Sequence, residues 1–480
     1  MLTLRGTDEH YRCLTIISIL PDEVLLEIFD IYHEEDGDNN GYFGWNWDIL
    51  VHVCRKWRQV VYASPHRLGL KIICSPGTPV KKDLDIWPAL PIEIYYSFCG
   101  ITTDDQDNII AALKHLDRVC EVSFDVTDSK LEKISTAMRQ TFPMLARLHI
   151  DSLVDSDNSP VLPADFLGGS APRLHDIYLR GISFPALPTL LLSTSDLVTF
   201  DLRHVPPSGY ISPEAMVVGL AALPRLERFT VGFQSAVSRP DRIHPSPVSQ
   251  TVLPALTIFR FVGASEYLEV LAARIDAPQL AKIEIRYLNQ PVDFRVAQLS
   301  RFIYRSMGAK LARLKYARVS FHSGWVTLDV SHSAGRHLGQ LATTLSCQRI
   351  DWQVSHMAQT LSQLSTTISL SAAVNVKLQI EQWWVGPTDV MEDVDLRLLL
   401  LQFPTMQTLH VSWGLGKHVA LALEHMVAGE FPSLYLIFLA DQPASSVQKF
   451  VTARKFSGRP VTVVDTETKF YEKVKSYANK

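Results

Sequence analysis

The feature that most restricts this chain is a pattern that returns along its length: a proline, any residue, a leucine, two residues, then apolar–any–apolar. It reads "FPMLARLHI" at Pro143, "APRLHDIYL" at Pro172, "LPRLERFTV" at Pro224, "LPALTIFRF" at Pro254 and "APQLAKIEI" at Pro278. "FPTMQTLHV" at Pro404 and "FPSLYLIFL" at Pro432 repeat it, and "TSDLVTFDL" around Leu197 is a version without the proline. Neighbouring copies lie about 23 to 30 residues apart, a period at which one copy is one turn of a stacked array. The apolar–any–apolar unit has the period of two of a short strand, so its apolar residues point into a core and the middle residue points out. No copy buries its strand face alone, and stacking on the neighbours supplies the core.

Between the strands lie segments with helical spacing, among them "DNIIAALKHL", "PEAMVVGLAAL", "SEYLEVLAARI", "FRVAQLSRFIYRSM" and "KHVALALEHMVAG". Such an alternation resembles the leucine-rich-repeat arrangement, which implies parallel short strands on one side and helices on the convex side. Each proline is expected to end the preceding helix or enter the strand, where no ladder donor is lost. From Pro278 to Pro404 the spacing fails, and "KLARLKYARVSF" and "NVKLQIEQW" read as degenerate copies. "VSRPDRIHPSPVSQTV" is a loop rich in proline and serine that interrupts the array.

The N-terminal region follows another rule. In "ILPDEVLLEIFDIY", residues 19 to 32, Pro21 suits a helix start, and Asp22 and Glu23 sit by the positive end of the helix dipole. Val24, Leu25, Ile28, Phe29 and Tyr32 share one face, with Leu26 and Ile31 on its flanks. In "DILVHVCRKWRQVV", residues 48 to 61, Ile49, Leu50, Val53, Trp57, Val60 and Val61 share a face opposite His52, Arg55, Lys56 and Gln59. This is more apolar surface than a short surface helix needs.

Together these stretches read L-P-x-E-[VL]-L-x-x-I-F and V-C-R-x-W-R, which resembles the F-box motif over about residues 18 to 68. Leu20, Pro21, Glu23, Ile28 and Phe29 match its first helix, and Val53, Cys54, Arg55, Trp57 and Arg58 its later ones. "ASPHRL" and "LDIWPALPIEI" are similar to segments of fungal F-box proteins. The resemblance implies a domain that binds a Skp-type adaptor and, through it, a cullin-based ubiquitin ligase. Leu20, Pro21, Val24, Leu25, Ile28, Phe29, Val53 and Trp57 are then the expected adaptor-binding residues or their support. For Trp57 an internal core position is an equal alternative.

The resulting expectation is an α/β chain. An N-terminal segment covers residues 1–17, and a small all-α F-box domain covers 18–68 with an inserted acidic loop at 33–47. A leucine-rich-repeat-like solenoid then covers 69–480. Inside the acidic loop Asp36, Asp38, Asn40 and Gly41 imitate the start of a calcium loop, but Trp47 stands where its last ligand, a glutamate, belongs. A solvated loop is the better reading.

The array offers a second candidate surface. The outward strand residues are His149, Tyr178, Asp201, Thr230, Arg260, Glu284 and His410, with Arg180, Arg203 and Arg286 two positions beyond the outward residue of their strands. In a regular array Arg180, Arg203, Arg260 and Arg286 would converge, which suits an anionic or phosphorylated protein substrate.

Catalytic motifs are not found. The chain has no H-E-x-x-H, no G-x-S-x-G and no glycine-rich dinucleotide turn after a strand. Gly414, Gly416 and Lys417 lack the Walker spacing, since Val411 stands at the first glycine and His418 follows the lysine; they read as a turn into a helix. His332 and His337 have no nearby cysteine or carboxylate to complete a metal site. The formal net charge of -4 on 480 residues argues against a general nucleic-acid or membrane-surface binder. No apolar run reaches transmembrane length, and "CLTIISIL" lacks the basic leader and cleavage site of a signal peptide. The six cysteines carry no C-x-x-C pair and read as reduced thiols of a cytoplasmic or nuclear protein. The expected function is therefore a substrate receptor of a Skp–cullin–F-box ligase, with no catalysis, cofactor or metal of its own. The alternative is a solenoid scaffold with no ligase role.

Overall fold

The structure is a computed structural model. It describes residues 20–37, 48–65, 67–76, 78, 80, 84, 89–96, 101–152, 159–235, 250–288, 295–333, 340–347, 350–365, 370–381, 393–426, 429–440 and 442–465. The expected N-terminal segment 1–17, most of the acidic loop, His337 and nearly all of the proline- and serine-rich interruption lie outside these residues. Contacts divide the chain into two compact units, residues 1–150 with 166–168, and residues 151–165 with 169–480.

The first unit opens with α1 (Asp22–Gly37), α2 (Asp48–Val53) and α3 (Arg55–Ala63). The Leu25 N–H donates to the Pro21 carbonyl at 3.2 Å, so Pro21 caps α1 and leaves Asp22 and Glu23 in its first turn. α1 runs on to Gly37, through the first residues of the stretch read as a solvated loop, where glutamate favours helix. The second apolar segment is not one helix. Cys54 adopts an extended backbone and its Sγ accepts from the Trp57 N–H, which caps a new helix at Arg55. Strands β1 (Ile72–Cys74), β2 (Ile92–Tyr96), β3 (Val119–Val126) and β4 (Arg147–Ser152) follow. β1, β2 and β3 are parallel neighbours, and the last two residues of β4 belong to the second unit. Helices α4 (Thr103–Leu113) and α5 (Asp128–Ala137) connect them, and a reciprocal capping box between Thr102 and Asp105 starts α4.

The second unit is a leucine-rich-repeat-like array, mixed α/β around a large parallel sheet. Its strands are β5 (Asp176–Arg180), β6 (Thr199–Val205), β7 (Arg228–Phe233), β8 (Thr251–Val252), β9 (Ile258–Gly263), β10 (Ile275–Asp276) and β11 (Lys282–Tyr287). They continue as β12 (Tyr316–Phe321), β13 (Trp325–Ser331), β14 (Leu341–Ser346), β15 (Asn375–Ile380), β16 (Thr408–Val411), β17 (Leu436–Leu439) and β18 (Thr462–Asp465). Helices α6 (Leu187–Leu191), α7 (Pro213–Ala221), α8 (Ser265–Arg274), α9 (Ala297–Leu311), α10 (Ile350–Ser365), α11 (Asp393–Leu400), α12 (Gly416–Glu424) and α13 (Gln448–Phe456) lie between them. The order in the sheet is β5-β6-β7-β9-β11-β14-β13-β12-β15-β16-β17-β18, and β8 pairs with β10 in a separate 2-stranded piece.

The repeating proline has a sharper role than expected. In each copy the leucine N–H, or that of Met406, returns to the carbonyl of the residue before the proline: Leu145 to Phe142, Leu174 to Ala171, Leu226 to Leu223, Leu256 to Leu253, Leu280 to Ala277, Met406 to Phe403 and Leu434 to Phe431. Proline thus stands second in a hydrogen-bonded four-residue turn, where its fixed φ is already correct. Leu197 makes the same bond to Thr194 without it. Each leucine of the turn is buried, and so is Met406. Behind the turns, Phe200, Phe229 and Phe259 occupy one register position on β6, β7 and β9 and stack at 5.6 and 5.5 Å.

The array is not all parallel. "KLARLKYARVSF" and "NVKLQIEQW" do become strands, β12 and β15, and they pair in parallel. Between β11 and β12, however, stand β14 and β13, and β13 is antiparallel to both its neighbours. The cause is a hairpin at "SFHSGWV". His322 donates its N–H to the Trp325 carbonyl at 2.8 Å across Ser323 and Gly324, the short loop that joins antiparallel strands. The chain reaches β12, turns back through β13, and closes on β11 with β14.

Candidate functional site

The expected adaptor residues do not share one face. Leu25, Leu26 and Phe29 of α1 are buried. Val24, Ile28 and Ile31 are 41%, 39% and 58% exposed, and Ile49 and Val53 of α2 are both 48% exposed. The wide stripe of α1 therefore splits along its length, with one half holding the helices together and the other facing outward at i, i+4 and i+7. On α2 and α3 the break at Cys54 shifts the helical phase. Leu50, Val51, Val60 and Val61 turn inward while Ile49 and Val53 turn out. Leu20 is half-buried, Pro21 is exposed, and the Leu20 carbonyl accepts from Lys56 Nζ.

Trp57 belongs mainly to the inward set. Its ring meets Phe29 edge-on at a centroid distance of 4.9 Å, and its indole nitrogen is buried with no hydrogen-bond partner among the described residues. Arg58, the second arginine of V-C-R-x-W-R, ties α3 to α2 by donating from Nε to the Val51 carbonyl at 2.9 Å. Arg67 binds Glu27 and Asp30 of α1 at 2.7 and 3.2 Å. Neither arginine role follows from apolar spacing.

On the array, the register brings the expected column together. Tyr178, Asp201, Thr230, Arg260 and Glu284 stand directly opposite one another on β5, β6, β7, β9 and β11. The same row continues through Ala342, Asp329, Arg318 and Lys377 to His410. The hairpin thus preserves the row while reversing strand direction. His149 is half-buried on β4 in the first unit.

The expected convergence of arginines does not occur. Arg180 and Arg203 are directly opposite, but the β6–β7 ladder shifts register after Leu202, and Arg286 lies beyond Gly232 and Val262 on β7 and β9. Three strand spacings separate Arg203 from Arg286, about 14 Å. Carboxylates offset most of the charge. Arg203 makes two bonds to Asp201, at 2.9 and 2.8 Å, and its guanidinium lies 5.3 Å from the Tyr178 ring centre. Arg260 bonds Glu284 at 2.9 Å, and Arg180 approaches Asp151 at 3.3 Å. The Asp201 bond raises the Arg203 pKa, and burial raises that of the Tyr178 hydroxyl. Arg286 is exposed and lies 5.7 Å from the Trp325 ring centre. Trp325 in turn stacks on His322 at 4.8 Å. This aromatic group belongs to the hairpin, which the repeat pattern does not reveal; the "SG" turn dipeptide is the signal for it.

Gly414, with φ 83, falls in the turn that leads to α12 at Gly416, as read from the sequence. His332 Nδ1 lies 3.2 Å from the Arg313 carbonyl. Among the described residues, no helix is long and apolar enough to cross a membrane.

No family model and no curated protein matches the chain. Among solved structures it is similar to the leucine-rich repeat-containing protein LegL7 from Legionella pneumophila, with 13% identity, 82% of this chain and 99% of that chain covered, and a TM-score of 0.28. A likeness of that size adds no weight to the repeat geometry, which rests on the turns and ladders of the chain itself.

Proposed function

We propose that the chain is a substrate receptor of a Skp–cullin–F-box ubiquitin ligase. α1 to α3 bind the Skp-type adaptor, and the array holds a protein substrate. One observation carries the reading: the helices that match the F-box motif turn Val24, Ile28, Ile31, Ile49 and Val53 outward although Leu25, Leu26 and Phe29 already supply their core. Each large apolar side chain gains about 1.5–3 kcal/mol on full burial, while association costs at least about 4 kcal/mol. Several of these residues must therefore act together. The chain contributes position rather than chemistry, because it raises the local concentration of substrate near the ligase.

A second reading has its own support. α1 to α3 fall in the same compact unit as β1 to β3 and most of β4, as expected of helices that only cap a scaffold. Affinity capture separates the two. A tagged full-length chain co-expressed with a Skp-type adaptor retains it if the helices are an adaptor-binding domain. An empty capture favours the scaffold.

A further inference from the structure

Four cations meet on the outward face of β7, β9 and β11. Residues two apart on a strand share a face, so Arg228 joins Thr230 on β7, and Lys282 and Arg286 join Glu284 on β11. The register sets Ile258 between Arg228 and Lys282, Arg260 opposite Glu284, and Val262 opposite Arg286. Arg260 is therefore the centre. Arg228, Lys282 and Arg286 each stand one strand and two residues from it, about 8 Å between Cα positions. Among the described residues of this face, Glu284 is the one carboxylate. Arg260 bonds one of its oxygens at 2.9 Å, and Lys282 Nζ lies 2.6 Å from the other. Arg228 and Arg286 are exposed, and among the described residues neither pairs with a carboxylate. Four cations and one carboxylate leave a formal charge of +3, on a chain whose net charge is -4. The neighbouring strands do not cancel it. Ala342 and Thr344 of β14 face Glu284 and Arg286, while on β6 Thr199 faces Arg228 and Asp201 is held by Arg203.

We propose that this patch docks an acidic segment of a partner protein, rich in aspartate and glutamate. The inference rests on the reading of the array as the partner-binding part of the chain. Complementary charge is the first support, since like charges held this close on a sheet are unfavourable until an anion joins them. Spacing is the second. Alternate side chains of an extended segment stand about 7 Å apart, close to the separation of these cations, so separate carboxylates meet separate cations. A phosphate dianion instead needs donors that converge on one group. Extent is the third. Asp201 on β6 and Asp329 on β13 bound the patch, and a nucleic-acid strand making several phosphate contacts would run onto them. The Trp325 ring, 5.7 Å from the Arg286 guanidinium, narrows the positions that this side chain takes up.

The test uses the full chain and four fluorescein-labelled probes: a peptide of alternating glutamate and alanine, the same peptide with glutamine for glutamate, one with phosphoserine for a single glutamate of the glutamine peptide, and a single-stranded oligothymidine. Fluorescence anisotropy reads their affinities. The glutamate peptide should bind saturably and the glutamine peptide should not. Arg228→Gln with Arg286→Gln should weaken the glutamate peptide by about tenfold or more. Lys455→Gln, a charge loss at an exposed position on α13, should alter it by less than about twofold. Arg286→Gln alone reads the same patch if the double variant melts at a lower temperature than the unaltered chain. Absence of saturable binding, equal loss in the arginine and Lys455→Gln variants, or tighter binding of the phosphoserine peptide or the oligothymidine than of the glutamate peptide would overturn the proposal. Adaptor capture is read independently, so a negative peptide result leaves the adaptor reading standing.

Discussion

Neighbouring residues on α1 have opposite roles. Phe29 is fully buried against Trp57, and Ile28 stands outside. Phe29→Ala should cost about 3–5 kcal/mol, as large-to-small changes in a packed core do. Ile28→Asp should move stability by no more than about 0.5 kcal/mol, the usual range for a surface change. Urea denaturation compares them, and a large loss for Ile28→Asp would place that residue in the core. Apolar spacing could not separate the pair, because periodicity reports a stripe and not which half of it another element covers. A second residue-scale effect is pH-dependent. Burial lowers the His356 pKa below its ordinary value of 6.5. The unfolded chain therefore takes up a proton before the folded chain does, and stability falls as pH drops below about 6.5. His322 and His410, lowered mainly by burial as well, act in the same direction. His356→Gln should flatten the slope of melting temperature between about pH 6.5 and 5. An unchanged slope would show that this histidine does not contribute.

The repeating turn is the unit at the scale of elements. Its leucine fills the core, whereas its proline mainly restricts the unfolded chain. Leu256→Ala should cost about 2–5 kcal/mol, and Pro254→Ala about 0.4–1 kcal/mol. Chemical denaturation of the two variants tests that order, and a proline effect as large as the leucine effect would mean that the turn itself fails. Because the leucine and the two strand residues recur at fixed offsets, the sequence was enough to place β5, β6, β7, β9, β11, β16 and β17 in register. β13 and β14 were not legible that way. Neither follows a proline–leucine turn, and only Ser323-Gly324 betrays their hairpin. The outward column was legible for the same reason as the strands. Its charge balance was not, since the carboxylates beside Arg180 and Arg260 come from other strands. Lys377 and Arg318 are neighbours because β12 pairs with β15 in parallel.

At the scale of the whole molecule, the strands of the array present a continuous row of side chains from Tyr178 to His410. Stacked repeats take their stability from neighbouring interfaces, so the outward row can vary in charge without loss of the core behind it. The central claim is that the exposed half of α1 belongs to an adaptor. Isothermal titration of a purified Skp-type adaptor into the full chain tests it most directly, with the Val24→Asp/Ile28→Asp double variant as the comparison. The expected result is stoichiometric binding to the unaltered chain and a loss of at least about a hundredfold in the variant, with its circular dichroism unchanged. Equal affinity for both proteins, or no heat of binding with the unaltered chain, would contradict the account.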